Sequence, residues 1–252
     1  MQIMAKFEIG DGNFDIEVGV DPDYEALEMK VGSYINAEGK VVRDAADAVG
    51  IVFKMEAIGS DVPANYPVAL QGKTIAGYAV AIENVATGRQ VLNNAAMSSL
   101  VTTDATVTNG TQATDALLTG IGEVAFMTTY NSWVNEHPLD GESLSSWYIP
   151  TVDQLGEFMG MLFKIGEVEP TGGQAFREMP EFAFENGVMF DRDPIESVYY
   201  ASCTVNGSKD ISGVIINVDK TTKQVLDAKA SSLKVTGSSQ KALCRPMITI
   251  FK

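Results

Sequence analysis

The chain is poor in the residues on which most catalytic and metal-binding motifs depend, with two cysteines and one histidine among 252 residues. Two cysteines cannot build the disulfide framework of a small secreted scaffold, and two thiols with one imidazole are too few ligands for a zinc site. Any Ser-His-Asp or Cys-His arrangement would need His137, which precedes Pro138 at the end of a predicted helix and suits a local electrostatic role there. The sequence therefore indicates no catalytic residue, no metal site and no cofactor.

Basic residues and long apolar runs are also scarce. With 18 basic and 33 acidic residues, the formal net charge is -15. This balance disfavours binding to the phosphate backbone of nucleic acids, and no apolar stretch reaches the roughly 18 residues of a membrane span. We therefore expect neither nucleic-acid binding nor membrane insertion.

The first residues lack the features of a secretory signal. Met1 to Glu8 contains neither a charged n-region nor an apolar h-region. We favour a protein that is used without Sec export, and a leader that was removed is the alternative.

Residues 1–28 are predicted to form a β-hairpin arm. Apolar residues alternate at Phe7 and Ile9, and again at Phe14, Ile16 and Val18, on either side of a Gly-Asp-Gly-Asn turn. The arm could add two strands to the sheet of the main domain or dock onto a neighbouring subunit. We assign residues 29–252 to one binding domain.

The most distinctive predicted helix begins at Thr151. Thr151 and Gln154 are spaced as a capping box, in which each side chain bonds the backbone amide of the other residue. Gly156 and Gly160 each weaken this helix, which indicates close packing of the helix against a sheet.

The remaining elements are predicted from apolar periodicity and turn residues. A second helix covers residues 124–136. An exposed Ser/Thr/Asn-rich loop covers residues 98–114, and irregular structure covers residues 164–196. The predicted strands cover residues 31–35, 40–42, 48–55, 77–83, 197–204, 211–218, 224–229 and 243–251.

Three separated stretches resemble a known fold family. They are Ser146 to Leu155, Val198 to Thr204 and Leu243 to Phe251. Their order and spacing are similar to the C-type-lectin-like fold of Bacteroidetes surface proteins and phage display proteins. The resemblance implies an α+β fold, with a C-type-lectin-like domain of antiparallel sheets and two main helices, plus the short N-terminal β-hairpin arm. It implies a structural role for Trp147, Pro150, Thr151, Gln154, Arg245 and Pro246.

Cys203 and Cys244 lie in two of these stretches, which the family places near each other. We interpret them as small buried apolar side chains. A disulfide between them is one alternative, and metal or redox chemistry is the other.

The candidates for ligand binding are Tyr199, Tyr200, Glu185, Asp191 and Asp193. The two tyrosines are adjacent in a predicted strand and point to opposite faces, so at most one is core and the other is the surface candidate. The three carboxylates lie in the long 164–196 segment, a region that the fold family commonly uses for binding. Their spacing is not that of a calcium-binding EF-hand loop.

The resemblance, together with the missing catalytic set, implies non-enzymatic binding or display. We predict a virion decoration or fibre protein of a Bacteroidetes phage that binds host-surface glycans or a host receptor. It would form a homo-oligomer and contact other virion or surface proteins through the arm. One alternative is a cell-surface adhesin or fimbrial-tip-like protein of a gut bacterium. The other is a carbohydrate-active enzyme that uses a pair of loop carboxylates.

Overall fold

A computed structural model of the protein describes residues 3–10, 13–20, 27–85, 109–121, 125–163, 188–192, 195–205, 211–219, 221, 225–233 and 243–252. The strands in these residues are β1 (Ile3–Gly10), β2 (Asn13–Val20), β3 (Tyr34–Ile35), β4 (Val41–Val42), β5 (Gly50–Lys54), β6 (Ile75–Ala81), β7 (Val188–Arg192), β8 (Ile195–Val205), β9 (Ile211–Asp219), β10 (Val225–Leu233) and β11 (Met247–Phe251). The helices are α1 (Val68–Gln71), α2 (Gly110–Ile121), α3 (Ala125–Glu136) and α4 (Val152–Phe163), with 3-10 turns at Ala45–Asp47 and Pro63–Asn65. The α+β class is confirmed, and the finer C-type-lectin-like assignment stays a prediction.

The described strands form three antiparallel sheets. β1 and β2 form a two-stranded sheet, a second sheet has the order β10-β9-β8-β7, and the third has the order β11-β6-β5-β3-β4. Leu243 and Cys244 connect the two larger sheets, since Leu243 bridges Tyr200 of β8 and Cys244 bridges Val85 after β6. The backbone amides of Ala201 and Val85 donate to the carbonyls of Leu243 and Cys244, at 2.9 Å in each case. The C-terminal segment therefore holds both sheets together.

The central strands are buried on both faces. Along β6, Ala79 contributes to one hydrophobic cluster, whereas Tyr78 and Val80 contribute to a second one. This alternation follows from the two-residue period of a strand. A strand covered on both faces is expected to read as a continuous apolar run, as β6 does.

Helices lie over both hydrophobic clusters. α3 contributes Tyr130 and Trp133 to the first cluster, and α4 contributes Leu155 and Phe158 to the second. The second cluster also contains Phe251 of β11. The predicted capped helix and the terminal strand therefore share one hydrophobic interior.

The N-terminal hairpin is confirmed. β1 and β2 pair over their whole length, from Ile3 opposite Val20 to Gly10 opposite Asn13. Neither strand pairs with another described strand, so among the described strands the arm does not extend the main sheets.

The predicted loop over residues 98–114 contains the start of helix α2, which is a correction. Asn109 is buried, and its side-chain oxygen accepts a hydrogen bond from the backbone amide of Gln112 at 2.9 Å, which caps the helix. The hydroxyl of Thr114 donates to the carbonyl of Ile149 at 3.2 Å and accepts from its amide at 2.8 Å. The polar composition here serves a helix cap and buried hydroxyl contacts. Residues 98–108 lie outside the described residues.

The prediction of irregular structure over residues 164–196 is wrong at its end. β7 pairs antiparallel with the start of β8, and Arg192 lies opposite Ile195. The Asp193-Pro194 dipeptide, which the sequence analysis treats as a break, connects these two strands. Residues 164–187, 193 and 194 lie outside the described residues. The other predicted strands and the helix over residues 124–136 are confirmed, with ends shifted by a few residues.

Candidate functional site

The two candidate tyrosines are both buried. Tyr199 is fully buried and Tyr200 is 2% exposed. They belong to the two different hydrophobic clusters, as the opposite faces of a strand require. The expectation that one of them reaches the surface is wrong, because both faces of β8 are covered at this point.

Only one of the three candidate acidic residues lies among the described residues. Asp191 lies in β7, and Glu185 and Asp193 lie outside the described residues. Asp191 lies in register with Glu196 of β8. Ligand binding by these carboxylates stays a prediction. Among the side chains that the structure describes, no group of three His, Cys, Asp or Glu residues could hold a metal ion.

The capping box is confirmed. The backbone amide of Gln154 donates to Thr151 Oγ1 at 3.2 Å, and the amide of Thr151 donates to Gln154 Oε1 at 3.0 Å. The same motif is anchored before the helix, where the carbonyl of Pro150 accepts from the amide of Cys203 at 2.9 Å. Gly156 is exposed, and apart from its chain neighbours and the backbone of its own helix no described atom lies within 4 Å of where its Cβ would be. The expectation that Gly156 marks close packing against a sheet is therefore wrong.

Arg245 has the structural role that was predicted for it. Its side chain is 2% exposed. Nε donates to Asn84 Oδ1 at 2.9 Å, and Nη1 donates to the carbonyls of Ala81 and Ile82 at 3.0 and 2.9 Å. Burial lowers the pKa of Arg245 below its usual value. Pro246 is held at the same place, since its carbonyl accepts from the amide of Ala81 at 2.9 Å.

A buried carboxylate that the sequence analysis missed lies at the centre of a polar network. Asp61 is 3% exposed. Its Oδ2 accepts from the hydroxyls of Tyr66 and Tyr78 at 2.6 and 2.7 Å, and its Oδ1 accepts from Asn109 Nδ2 at 2.8 Å. The donors come from the loop before α1, from β6 and from the start of α2. Asp61 therefore connects its own loop to β6 and, across 48 residues of sequence, to the start of α2.

A second branch of this network reaches the terminal strand. The hydroxyl of Thr249 in β11 lies 2.8 Å from the Tyr66 hydroxyl and 3.0 Å from the Tyr148 hydroxyl. Gln154 Nε2 donates to Tyr148 at 3.2 Å. Burial is the main reason why the pKa values of Tyr66, Tyr78 and Tyr148 are raised, and nearby Asp61 raises them further. These groups satisfy one another inside the core, which is the arrangement of a structural network.

A surface cleft of about 190 Å³ lies beside the end of α3, lined in part by His137, Leu139, Ser146 and Trp147. His137 Nε2 lies 2.9 Å from Glu83 Oε1, and Nδ1 lies 2.7 Å from the carbonyl of Trp133. The imidazole also stacks on the Trp133 ring, at 4.3 Å between centroids. Both ring nitrogens lie beside acceptor oxygens, so the imidazole is occupied by contacts at the C-terminal end of α3.

The two cysteines are free and buried. Burial raises the pKa of Cys203 to about 12 and also raises that of Cys244. The interpretation as buried apolar side chains is confirmed, and the disulfide alternative is wrong. A thiol with a raised pKa is a poor nucleophile.

The register of the hairpin defines the candidate docking surface. At every second position along β1, an apolar residue lies opposite an apolar residue of β2. These pairs are Ile3–Val20, Ala5–Val18, Phe7–Ile16 and Ile9–Phe14. Directly paired residues share a face of the ribbon. One face of the hairpin, which we call the ribbon face, therefore carries these eight apolar residues. The opposite face carries Met4, Lys6, Glu8, Gly10, Asn13, Asp15, Glu17 and Gly19.

The ribbon face is predictable from the sequence, whereas the Asp61 network is not. The alternation from Ile3 to Val20 is visible as a two-residue period, although only its central residues were used. Asp61 has no comparable signal, since Asn109 lies 48 residues away in the chain.

Comparisons with known proteins assign no family. No family model matches the chain, and no curated protein matches it. Among solved structures, the chain is similar to a fimbrial protein from Bacteroides ovatus, with a TM-score of 0.48 and 15% identity over 88% of this chain. The chain spans about half of that protein, 49% of its length. No helix among the described residues is both long and apolar enough to cross a membrane. The virion and enzyme hypotheses stay predictions.

Proposed function

We propose that the chain is a non-enzymatic structural and adhesive subunit of a bacterial surface assembly, joined to its neighbour through the N-terminal hairpin. This is the surface-adhesin alternative of the sequence analysis. The observation that carries it is the hairpin, which forms a sheet of its own with an apolar ribbon face.

A two-stranded hairpin is marginally stable in water by itself. An apolar face on such a hairpin is therefore expected to be covered by something else. A docking arm suits an assembly subunit, because the arm makes the contact and the part of the chain after the hairpin, which we call the body, is displayed.

The potentially reactive side chains of the body are buried or hydrogen-bonded, which supports a structural role. The Asp61 carboxylate is saturated by three donors, and the thiols of Cys203 and Cys244 are buried. His137 holds the end of α3. General acid–base or nucleophilic chemistry could use groups of these types, and here each is buried or hydrogen-bonded within the fold.

Immunogold labelling with an antibody against the body tests the proposal. We expect labelling on the surface of intact producing cells, and none on cells from which the gene is deleted. Labelling of purified phage particles instead would contradict the surface proposal and support the virion prediction. Turnover of any substrate in a glycan panel would contradict the non-enzymatic part.

A further inference from the structure

We propose that the ribbon face of one copy packs against the ribbon face of a second copy, so that the hairpin is a homotypic association element. This inference rests on the proposed function, in which the hairpin joins neighbouring subunits, and it names the neighbour. Three observations support this inference. They are the register of the hairpin, the area of the ribbon face and the lack of a comparable apolar patch among the described side chains of the body.

The area of the ribbon face is suited to a stable contact. Seven of its eight residues are large and apolar. At about 100 Å² for each large apolar side chain, the face can bury about 700 Å² per copy. A standard interface buries about 800 Å² per partner. Covering the ribbon face once is therefore enough for specific association.

The described body offers no comparable apolar surface. Among the side chains that the structure describes, the exposed large hydrophobic ones are Leu27, Val62 and Val68. Val62 and Val68 flank a single turn, and Leu27 follows the hairpin in the chain. Among the described side chains, these two or three aliphatic residues are too few to cover the ribbon face, whereas the ribbon face of another copy matches it in size and chemistry.

Two ribbon faces can pack on each other with the two-fold symmetry of a dimer. Two identical faces that pack on each other form an isologous contact around a two-fold axis, with the sheets about 10 Å apart. The charged residues Lys6, Glu8, Asp15 and Glu17 are on the opposite face by register, so the contact buries none of these four charges. The net charge of -15 per chain opposes association, and salt is expected to strengthen the dimer by screening it.

Sedimentation velocity of the full chain tests the proposal with two neighbouring substitutions on opposite faces. We expect the wild-type protein to reach a species of twice the 27.0 kDa chain mass as its concentration rises. Ile16→Lys places a charge in the contact and is expected to raise the dissociation constant by about 100-fold or more. Asp15→Lys is the matched control, since it places the same side chain opposite Glu8 on the other face, and it should leave the dimer intact.

Chemical cross-linking guards against a variant that merely loses the hairpin. The native thiols are buried, so a cysteine introduced into the hairpin is the accessible one. With a short bis-maleimide, Ile16→Cys should give covalent dimers and Asp15→Cys should not.

Three results would overturn the inference: a wild-type monomer at every concentration, equal effects of the two lysine substitutions, or equal cross-linking of the two cysteine variants. A monomer that still labels the cell surface would overturn the homotypic contact and leave the proposed function standing. A dimer that is absent from the cell surface would overturn the proposed function and leave the homotypic contact standing.

Discussion

At the scale of single residues, hydroxyl groups in one helix have opposite effects on stability. Thr111 Oγ1 is buried and has no hydrogen-bond partner among the described residues, whereas the Thr114 hydroxyl both donates to and accepts from the backbone of Ile149. A buried polar group without a partner costs about 1–3 kcal/mol, and a satisfied one contributes about 1 kcal/mol.

We therefore predict that Thr111→Val raises the free energy of unfolding by about 1 kcal/mol and that Thr114→Val lowers it by about 1–3 kcal/mol. Threonine and valine have nearly the same size, and both positions lie in α2. The change in helix propensity is therefore the same for both variants. Urea unfolding monitored by circular dichroism measures both values. A loss of stability in both variants would mean that the Thr111 hydroxyl has a partner.

The buried thiols and phenols predict a loss of stability at alkaline pH. In an unfolded chain the pKa of cysteine is about 8.5 and that of tyrosine about 10, whereas burial raises the pKa values of Cys203, Cys244, Tyr66, Tyr78 and Tyr148 in the folded protein. The folded state therefore holds these protons more tightly. Its stability is complete below the unfolded pKa values and is lost as the pH rises above them.

We expect the free energy of unfolding to fall from about pH 8.5 upward, by about 1.4 kcal/mol per pH unit for each thiol that ionises only on unfolding. For Cys203 the fall continues to its folded pKa of about 12. Urea unfolding at a series of pH values measures the slope, and Cys203→Ala should reduce it between about pH 8.5 and 10. A slope that Cys203→Ala leaves unchanged would contradict the assignment.

At the scale of elements, the Asp61 network holds a loop, β6 and α2 together. Asp61→Ala leaves the donors of Tyr66, Tyr78 and Asn109 without their acceptor. We expect it to lower the free energy of unfolding by about 3 kcal/mol or more. Asp140→Ala, at an exposed position, is the control and should change it by less than about 0.5 kcal/mol. Similar losses in both variants, measured by urea unfolding, would show that the network is not structural.

Two helical glycines predict opposite results for the same substitution. A Cβ on Gly110 would lie 2.3 and 2.6 Å from ring atoms of Tyr148 and 2.7 Å from Gln154 Oε1, and Tyr148 is fully buried. Gly110→Ala should therefore cost at least about 2 kcal/mol. Gly156→Ala meets no described atom within 4 Å apart from its chain neighbours and its own helix backbone, and it should raise the free energy of unfolding by about 1 kcal/mol. Thermal unfolding of both variants measures the difference, and equal shifts would contradict the close approach at Gly110.

Features that depend on residues close in sequence were predictable, and features that depend on distant contacts were not. The capping box of Thr151 and Gln154 and the N-terminal hairpin are local patterns, and both are confirmed. Helix α2 was missed because its start depends on Asn109, which also bonds Asp61 at 48 residues' separation. The burial of Tyr199 and Tyr200 was missed for a related reason, since a strand pattern does not reveal that both faces are covered.

At the scale of the whole molecule, the body and the hairpin arm are stabilised by different contacts. The body is held by the C-terminal segment, which bridges its two larger sheets, and by the Asp61 network. The hairpin pairs with none of the described strands of the body. Stability of the body and association of the molecule should therefore respond to different substitutions.

Hydrogen exchange at several protein concentrations separates the stability of the body from the association of the hairpin. A hairpin that is covered only by a second copy opens easily in the monomer and is protected in the dimer. We predict that amide exchange in residues 3–20 slows as the concentration rises, while exchange in β5 and β6 of the body stays the same. Protection of residues 3–20 that is equal at every concentration would contradict the claim.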